Sequence, residues 1–311
     1  MLQVLPWLIG TLLALVVAVA PLRAEETKLR VAYVPSLTWL PAFVAQERGL
    51  FAAHELDITL TPIQNIALMP PSVGKGFDLA SATLPDLIKA AASGLDVVAV
   101  AGGNLSSPEN PGAALLVRGD GDIATLTDLK GKSVATPALG GMLDLALQHW
   151  LRQSGLAGGD VLAVELSLPD MAERLLGERI DAVEVTQPFI ATLLAAGAKS
   201  LGDPISSVKN PALPTVWIAQ GGWARTHQAV VGRFVAAIAE ADAFIAGSPD
   251  EARLILRKYA EIPDAVAATL PLLAYTTAVG PDDIAVWGAT LTELGQLFRP
   301  VDASRLLVTA R

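Results

Sequence analysis

Residues 28–60 read KLRVAYVPSLTWLPAFVAQERGLFAAHELDITL, and this stretch contains one complete strand–helix–strand unit. The apolar run at residues 29–34 predicts a strand, and Thr38 predicts the start of a helix that Gly49 ends. A second run at residues 56–60 predicts the next strand. Two strands joined by a helix are expected to lie parallel, because a crossover connection returns the chain to the same end of the sheet.

The same alternation of short strands and helices continues through most of the chain. Further strands are predicted at residues 78–81, 97–101, 133–136, 161–166, 180–185 and 215–219. Such repetition is typical of an α/β fold in which helices cover both faces of parallel sheets. The Pro- and Ser-rich residues 202–214 predict a linker, and the chain after residue 220 is predicted to be mostly helical.

Composition excludes several classes of protein. The chain has 311 residues, of which 52% are hydrophobic and 17% are charged, so a folded and freely soluble protein is expected. Its formal net charge of −9 argues against a nucleic-acid partner, which would require a basic surface. The absence of cysteine excludes a disulfide framework, a thiolate nucleophile and a lipid-anchor cysteine.

The first 24 residues predict a cleaved signal peptide. Residues 8–20 form an almost unbroken apolar run, and Ala24 precedes the acidic pair Glu25 and Glu26. The alternative is an uncleaved membrane anchor, which the run disfavours because it is shorter than the ~20 apolar residues of a spanning helix.

Three motifs in order carry a resemblance to a known family. They are ERGLF at residues 47–51, DLKGK at residues 128–132 and GERIDA at residues 177–182. The surrounding sequence resembles the periplasmic solute-binding proteins of nitrate, sulfonate, taurine and thiamine-pyrimidine importers, the NMT1/THI5-like family. The resemblance spans nearly all of the chain after residue 27.

This resemblance implies a two-lobed periplasmic-binding-protein-like (type II) fold with two crossover strands and a central ligand cleft. The crossovers are expected near Ala114–Val117 and residues 215–219. Lobe I would contain residues 25–117 and 218–311, and lobe II residues 118–217. The resemblance further implies a periplasmic monomer without a cofactor, which delivers a small solute to the permease and ATPase subunits of an ABC importer in the inner membrane.

Candidate ligand-binding residues follow from the general architecture, because ligands of open parallel sheets bind beyond the carboxyl ends of the strands, near helix N-termini. The residues selected in this way are Ser36, Thr38, Trp39, Asn65, Ser81, Thr83, Gly140, Gly141, Met142, Glu184, Thr186, Gln187 and Trp217.

Each candidate also has a purely structural interpretation. Thr38 and Thr83 would cap helices, Asn65 would sit in an ordinary turn, and the Gly140–Gly141 pair would form a flexible turn. The two tryptophans would pack in the core, and Glu184 would face solvent at a sheet edge.

The type of solute is only partly constrained by these residues. No clear basic residue lies among the predicted loops, which disfavours nitrate or a simple sulfonate. Glu184 with Trp39 and Trp217 favours a sulfonate- or taurine-like zwitterion, or a nitrogen heterocycle such as a thiamine pyrimidine precursor.

Two other functions remain open at this level. A pyrimidine-synthase-like enzyme has a related fold, but those proteins rely on a cysteine-rich segment that is absent here, and we find no nucleophile–base pair or catalytic residue. The three histidines, His54, His149 and His227, show no spacing typical of a metal site. A ligand-binding sensory protein is the other alternative.

Overall fold

The computed structural model describes residues 26–157, 159–260 and 262–308. The predicted signal peptide at residues 1–24 lies outside these ranges. Within them, every helix is too short or too polar to cross a membrane.

Strands and helices alternate along the described chain as the sequence predicts. The strands are β1 (Thr27–Tyr33), β2 (Leu56–Pro62), β3 (Leu79–Thr83), β4 (Val97–Gly102), β5 (Asn104–Leu105), β6 (Ala114–Val117), β7 (Ser133–Thr136), β8 (Leu162–Glu165), β9 (Ala182–Val185), β10 (Lys199–Gly202), β11 (Thr215–Gln220) and β12 (Ala274–Tyr275). The α-helices are α1 (Leu40–Glu47), α2 (Leu50–Ala53), α3 (Leu84–Ala92), α4 (Met142–Gln153), α5 (Leu168–Leu176), α6 (Phe189–Ala195), α7 (Gly221–Thr226), α8 (Gln228–Gly247), α9 (Pro249–Tyr259), α10 (Asp264–Thr269) and α11 (Pro281–Glu293).

Two five-stranded sheets form the two lobes. The first has the strand order β2-β1-β3-β11-β4, and the second has the order β10-β6-β9-β7-β8. β1 runs parallel to β2 and β3, and β7 runs parallel to β8 and β9, as expected for helix-connected strands. β11 and β6 are antiparallel to their neighbours, because the chain enters each of these strands from the other lobe.

Sheet membership corrects the expected lobe boundaries by a few residues. The boundary expected after residue 117 assigns β6 to lobe I, whereas β6 belongs wholly to the second sheet. The boundary expected after residue 217 cuts through β11, which belongs wholly to the first sheet. The chain therefore passes between the sheets in residues 103–113 and 203–214.

Apolar side chains fill both faces of each sheet. In lobe I, α1 and α8 cover one face, and α3 and α11 cover the other. Leu145 and Ala146 on α4 pack into the second of these lobe I layers, so α4 joins lobe II to lobe I.

Helix starts follow the sequence signals in part. Thr83 caps α3, with its hydroxyl accepting from the Asp86 amide at 3.1 Å and donating to the Asp86 carboxylate at 2.7 Å. The prediction that Thr38 caps a helix is wrong, since it lies inside a 3₁₀ turn (Leu37–Trp39) that precedes α1.

Candidate ligand-binding cleft

A cleft of about 860 Å³ lies between the two lobes. Lobe I lines it with Tyr33, Pro35, Ser36, Leu37, Pro62, Gln64, Lys258, Tyr259, Ala260, Ile262, Pro263 and Val266. Lobe II lines it with Leu168, Thr186, Gln187, Pro188, Phe189 and Thr192. The segments that follow β1, β2 and β9 all meet here, as the general rule for parallel sheets requires.

Three of the predicted binding residues come together in this cleft. Ser36 follows β1 in lobe I, and Thr186 and Gln187 follow β9 in lobe II. Gln187 uses its carbonyl oxygen to accept the Ala191 amide at 3.3 Å, which holds its side chain at the start of α6. Within the described part of the chain, its side-chain NH₂ group and the hydroxyls of Ser36 and Thr186 make no hydrogen bond, so these groups are free to meet a ligand. Their role in binding stays a prediction.

An aromatic stack supports the lobe I wall of the cleft. The Phe43 ring packs edge-on against Tyr33, with centroids 5.0 Å apart, and stacks parallel to Tyr259 at 4.5 Å. The Tyr259 hydroxyl donates to Glu47 at 3.0 Å. Burial first, and then this bond to a carboxylate, raise the pKa of Tyr259, so it stays a neutral hydrogen-bonding phenol.

Lys258 alone among the described cleft-lining residues carries a charge, and sequence reasoning missed it. Its ammonium is bound to the Glu47 carboxylate, and this hydrogen bond is the main cause of the lowered pKa of Glu47. Lys258 and Tyr259 lie at the end of α9 rather than after a strand, which is why a rule based on strand ends did not select them. The net charge of this lysine–glutamate pair is zero.

A family model described as NMT1/THI5 like matches residues 37–252, about two thirds of the chain. The chain belongs to the NMT1/THI5-like family. This confirms the resemblance drawn from the three sequence motifs, whereas no curated protein sequence matches the chain.

Solved structures share the fold of this NMT1/THI5-like protein. The periplasmic aliphatic sulphonate binding protein SsuA from Escherichia coli is 24% identical, with a TM-score of 0.78 over 91% of this chain and 92% of that one. The alkanesulfonate-binding protein SsuA from Xanthomonas axonopodis pv. citri, bound to MOPS, is 20% identical, with a TM-score of 0.74 over 93% and 100% of the two chains. The periplasmic nitrate-binding protein NrtA from Synechocystis PCC 6803 is 14% identical, with a TM-score of 0.72 over 90% and 84%. These matches confirm the two-lobed fold.

The two tryptophans expected to wall the cleft lie in the core of the NMT1/THI5-like fold instead. Trp39 and Trp217 are 2% and 1% exposed, and their rings meet edge-on with centroids 4.6 Å apart. Trp217 also packs edge-on against Phe234 of α8 at 5.4 Å. Their structural interpretation is therefore the correct one, because neither ring offers accessible surface to a solute.

Four further candidates from lobe I do not line the cleft. Thr38 is partly buried beside α1, and Asn65 is exposed, where it caps a short 3₁₀ turn by accepting the Ala67 amide at 3.0 Å. Ser81 and Thr83 are buried in β3. The Ser81 hydroxyl has no hydrogen-bond partner among the described residues.

The Gly140–Gly141 turn does not present free amides to a ligand. The Gly140 amide donates to Asp144 Oδ2 at 2.7 Å, and the Gly141 amide donates to the Ala138 carbonyl at 3.0 Å. Met142 packs against the apolar layer of lobe I that contains Leu145. The turn thus joins α4 to lobe I, and Lys89 of α3 reinforces this contact by donating to the Gly140 carbonyl at 2.9 Å.

Glu184 fits neither of its two sequence interpretations. It is 0% exposed, so it lies neither on the cleft surface nor at a solvated sheet edge. Its Oε2 accepts the Thr136 hydroxyl at 3.1 Å, while its Oε1 has no partner among the described residues. Burial, and then repulsion from Asp144 and Asp203, raise the pKa of Glu184 well above its ordinary range.

A second buried carboxylate, Asp203, ties together the two segments that connect the lobes. Its Oδ2 accepts the Ser106 hydroxyl at 2.6 Å, and its Oδ1 accepts the Ile205 amide at 2.9 Å. The Ser106 oxygen in turn accepts the Gly112 amide at 2.6 Å. Burial raises the pKa of Asp203 from 3.8 to about 6.

We expect the Asp203→Asn substitution to flatten the pH dependence of stability between pH 4 and pH 6. Because the folded-state pKa is the higher one, the unfolded chain releases this proton first as the pH rises, and the free energy of unfolding falls. Asp203 is expected to contribute roughly 3 kcal/mol to this decrease in the free energy of unfolding, at about 1.4 kcal/mol per pH unit. Urea titrations from pH 4 to pH 7 measure it. The exposed Asp120→Asn variant is the control, and a pH profile of Asp203→Asn that matches the wild type would contradict the assignment.

Proposed function

We propose that this chain is the solute-binding component of an ABC importer, exported to the periplasm, which captures a small organic solute between its lobes. The observation that carries the proposal is the cleft of about 860 Å³, which segments following β1, β2 and β9 line from both lobes. The family and the fold of the sulfonate- and nitrate-binding proteins support the same role. Delivery to a permease and its ATPase is the proposed second step.

Capture would work by hinge closure. Residues 103–113 and 203–214 are the two connections between the sheets, and the Asp203–Ser106 hydrogen bond links them. A solute that contacts Ser36 in lobe I and Thr186 or Gln187 in lobe II binds the closed state more tightly than the open state. The solute shifts the equilibrium between the open and closed states toward closure only as far as its affinity for the closed state exceeds its affinity for the open state.

The chemistry of the cleft favours an uncharged nitrogen heterocycle as the solute. Tyr259 and Phe189 offer aromatic surface, while Gln187 and the hydroxyls of Ser36 and Thr186 offer hydrogen bonds to ring nitrogens and amino groups. The Lys258 charge is balanced by Glu47, so the described lining of the cleft supplies no uncompensated cation for a nitrate or sulfonate group. A taurine-like zwitterion is the alternative, since its two charges also sum to zero.

A thermal-shift screen of aminopyrimidines, taurine-like zwitterions and alkanesulfonates tests this proposal, with native mass spectrometry to identify any solute that co-purifies. A solute present at a hundred times its dissociation constant is expected to stabilise the protein by about 2.7 kcal/mol. The aminopyrimidines are expected to give the largest shift. If none of these classes shifts the melting temperature, the proposed solute is wrong, and conversion of a bound compound to product would show an enzyme instead.

Thr186→Trp is expected to abolish the ligand-induced shift, because a large side chain in the lobe II wall occupies the space of the solute. The Thr59→Trp substitution, at an exposed position of β2 outside the cleft, makes the same chemical change and should leave the shift intact. Solute binding that survives Thr186→Trp would place the binding site elsewhere.

A further inference from the structure

The two lobes touch on one side of the molecule and are separated by the cleft on the other side. In lobe I, the cleft residues Tyr33 and Tyr259 belong to the apolar layer under α1 and α8. In lobe II, the cleft residue Phe189 packs against the layer under α5 and α6. The contact made by α4 lies on the opposite face of the first sheet, where Leu145 and Ala146 pack against α3 and α11.

The two segments that connect the sheets run between these two sides. Gln153 of α4 donates to the Ser207 carbonyl of the second connection at 3.3 Å. Asn110 of the first connection donates to the Leu272 carbonyl at 3.2 Å, and Leu272 packs against the layer under α1 and α8. The proposed hinge therefore lies between the cleft and the α4–α11 contact. A rotation about it that narrows the cleft moves α4 away from α11.

Polar groups fasten the outer edge of the α4–α11 contact. His149 Nδ1 and Glu293 Oε2 form a hydrogen bond of 2.8 Å, and Arg152 Nη1 donates to the Glu293 carbonyl at 3.0 Å. Glu293 is the last residue of α11, where carbonyls lack partners within the helix and the helix dipole attracts a cation. We call His149, Arg152 and Glu293 the interlobe latch. It joins lobe II to lobe I only while the two helices keep their present separation.

We propose that His149 and Arg152 are positioning residues that lower the solute affinity of the cleft by holding the lobes open, an inference that rests on the proposed function. The latch is formed in this structure, whose cleft is open, and closure would break it. Its bonds thus stabilise the open state alone. Because the apparent affinity for a solute is reduced by a low population of the closed state, weakening the latch raises that affinity even though it removes native contacts.

The His149→Ala/Arg152→Ala double variant tests the proposal and leaves every cleft residue in place. Isothermal titration calorimetry with 4-aminopyrimidine is expected to show binding about 3- to 10-fold tighter than in the wild type, the effect of removing one or two hydrogen bonds from the open state. A purely structural role would leave the affinity unchanged or lower it. Arg174→Ala is the matched control, because Arg174 is exposed on α5 of lobe II and lies outside the contact. It should bind as the wild type does.

A second measurement detects closure without any solute. The chain contains no cysteine, so spin labels can be attached specifically to Gln46→Cys on α1 and Ala195→Cys on α6. Both positions are exposed and lie outside the lining of the cleft. Double electron–electron resonance of the ligand-free protein should give shorter distances between the labels in the double variant than in the wild-type background. The Arg174→Ala background should give the wild-type distances.

Unchanged or longer distances in the double variant would overturn the proposal, and so would weaker solute binding by a folded double variant. The distance measurement also separates this inference from the proposed function. If the distances shorten but 4-aminopyrimidine binds to none of the proteins, the latch is supported and the proposed solute is rejected. If the double variant does not fold, Arg152→Ala replaces it, and the same shortening is required of that variant.

Discussion

The Trp217→Ala substitution is expected to lower the free energy of unfolding by about 3–5 kcal/mol, the usual range for removing a buried large aromatic side chain. Trp217 lies on β11, an interior strand of the first sheet between β3 and β4. Its ring contacts Trp39 of lobe I on one side and Phe234 of α8 on the other. The substitution thus removes one member of a buried three-ring cluster and leaves a cavity that β11 cannot close without breaking its pairing with both neighbours.

Urea denaturation followed by far-ultraviolet circular dichroism measures this effect without relying on tryptophan fluorescence. Trp223→Ala is the matched control, since Trp223 is partly exposed and stacks on the surface residue His227. Trp223→Ala is expected to lower the free energy of unfolding by well under half as much as Trp217→Ala. A loss of solute binding in Trp217→Ala with unchanged stability would reverse the structural assignment and return Trp217 to the cleft.

The positions of Trp39 and Trp217 in the core could not be predicted from the sequence. The position of Trp39 after β1 and of Trp217 on a crossover strand is compatible with either a cleft wall or a core. The deciding contacts are those of Trp217 with Trp39, which is far away in the chain, and with Phe234 of α8, and they form only through tertiary packing. Local sequence cannot report such a contact. Ser36, Thr186 and Gln187 were predictable because a strand end places them at the cleft regardless of what packs behind them.

The fold, like the site, was only partly predictable from the sequence. Alternating apolar runs and helix signals located most strands of the parallel units, and Ser133–Thr136 matches to the residue. The antiparallel direction of β6 and β11 was not predictable from periodicity, because a strand has the same apolar pattern in either direction. The edge strand β10 (Lys199–Gly202) also escaped prediction, since its exposed first half, Lys199 and Ser200, carries little apolar signal.

In the cleft, Phe189→Ala is expected to weaken binding of a heteroaromatic solute about 10- to 100-fold, equivalent to roughly 1.4–2.7 kcal/mol. Phe189 begins α6 and lines the lobe II wall, opposite Tyr33 and Tyr259 of lobe I. An aromatic ring held there can stack on a flat solute only when the lobes close. The ring therefore contributes to the solute affinity of the closed state and not to that of the open state. Isothermal titration calorimetry with the strongest solute from the thermal-shift screen measures the change.

Phe298→Ala provides the matched control, because Phe298 is 95% exposed and does not line the cleft. It should leave the dissociation constant unchanged, which separates loss of an aromatic contact from a general effect of removing a phenyl ring. Phe189→Tyr should keep most of the affinity, since the ring and its position are retained. Equal affinities in Phe189→Ala and the wild type would mean that the solute does not stack in this part of the cleft. The preference for an aromatic solute would then lose its main physical support, and a taurine-like zwitterion held by the polar side chains of the cleft would become the better explanation.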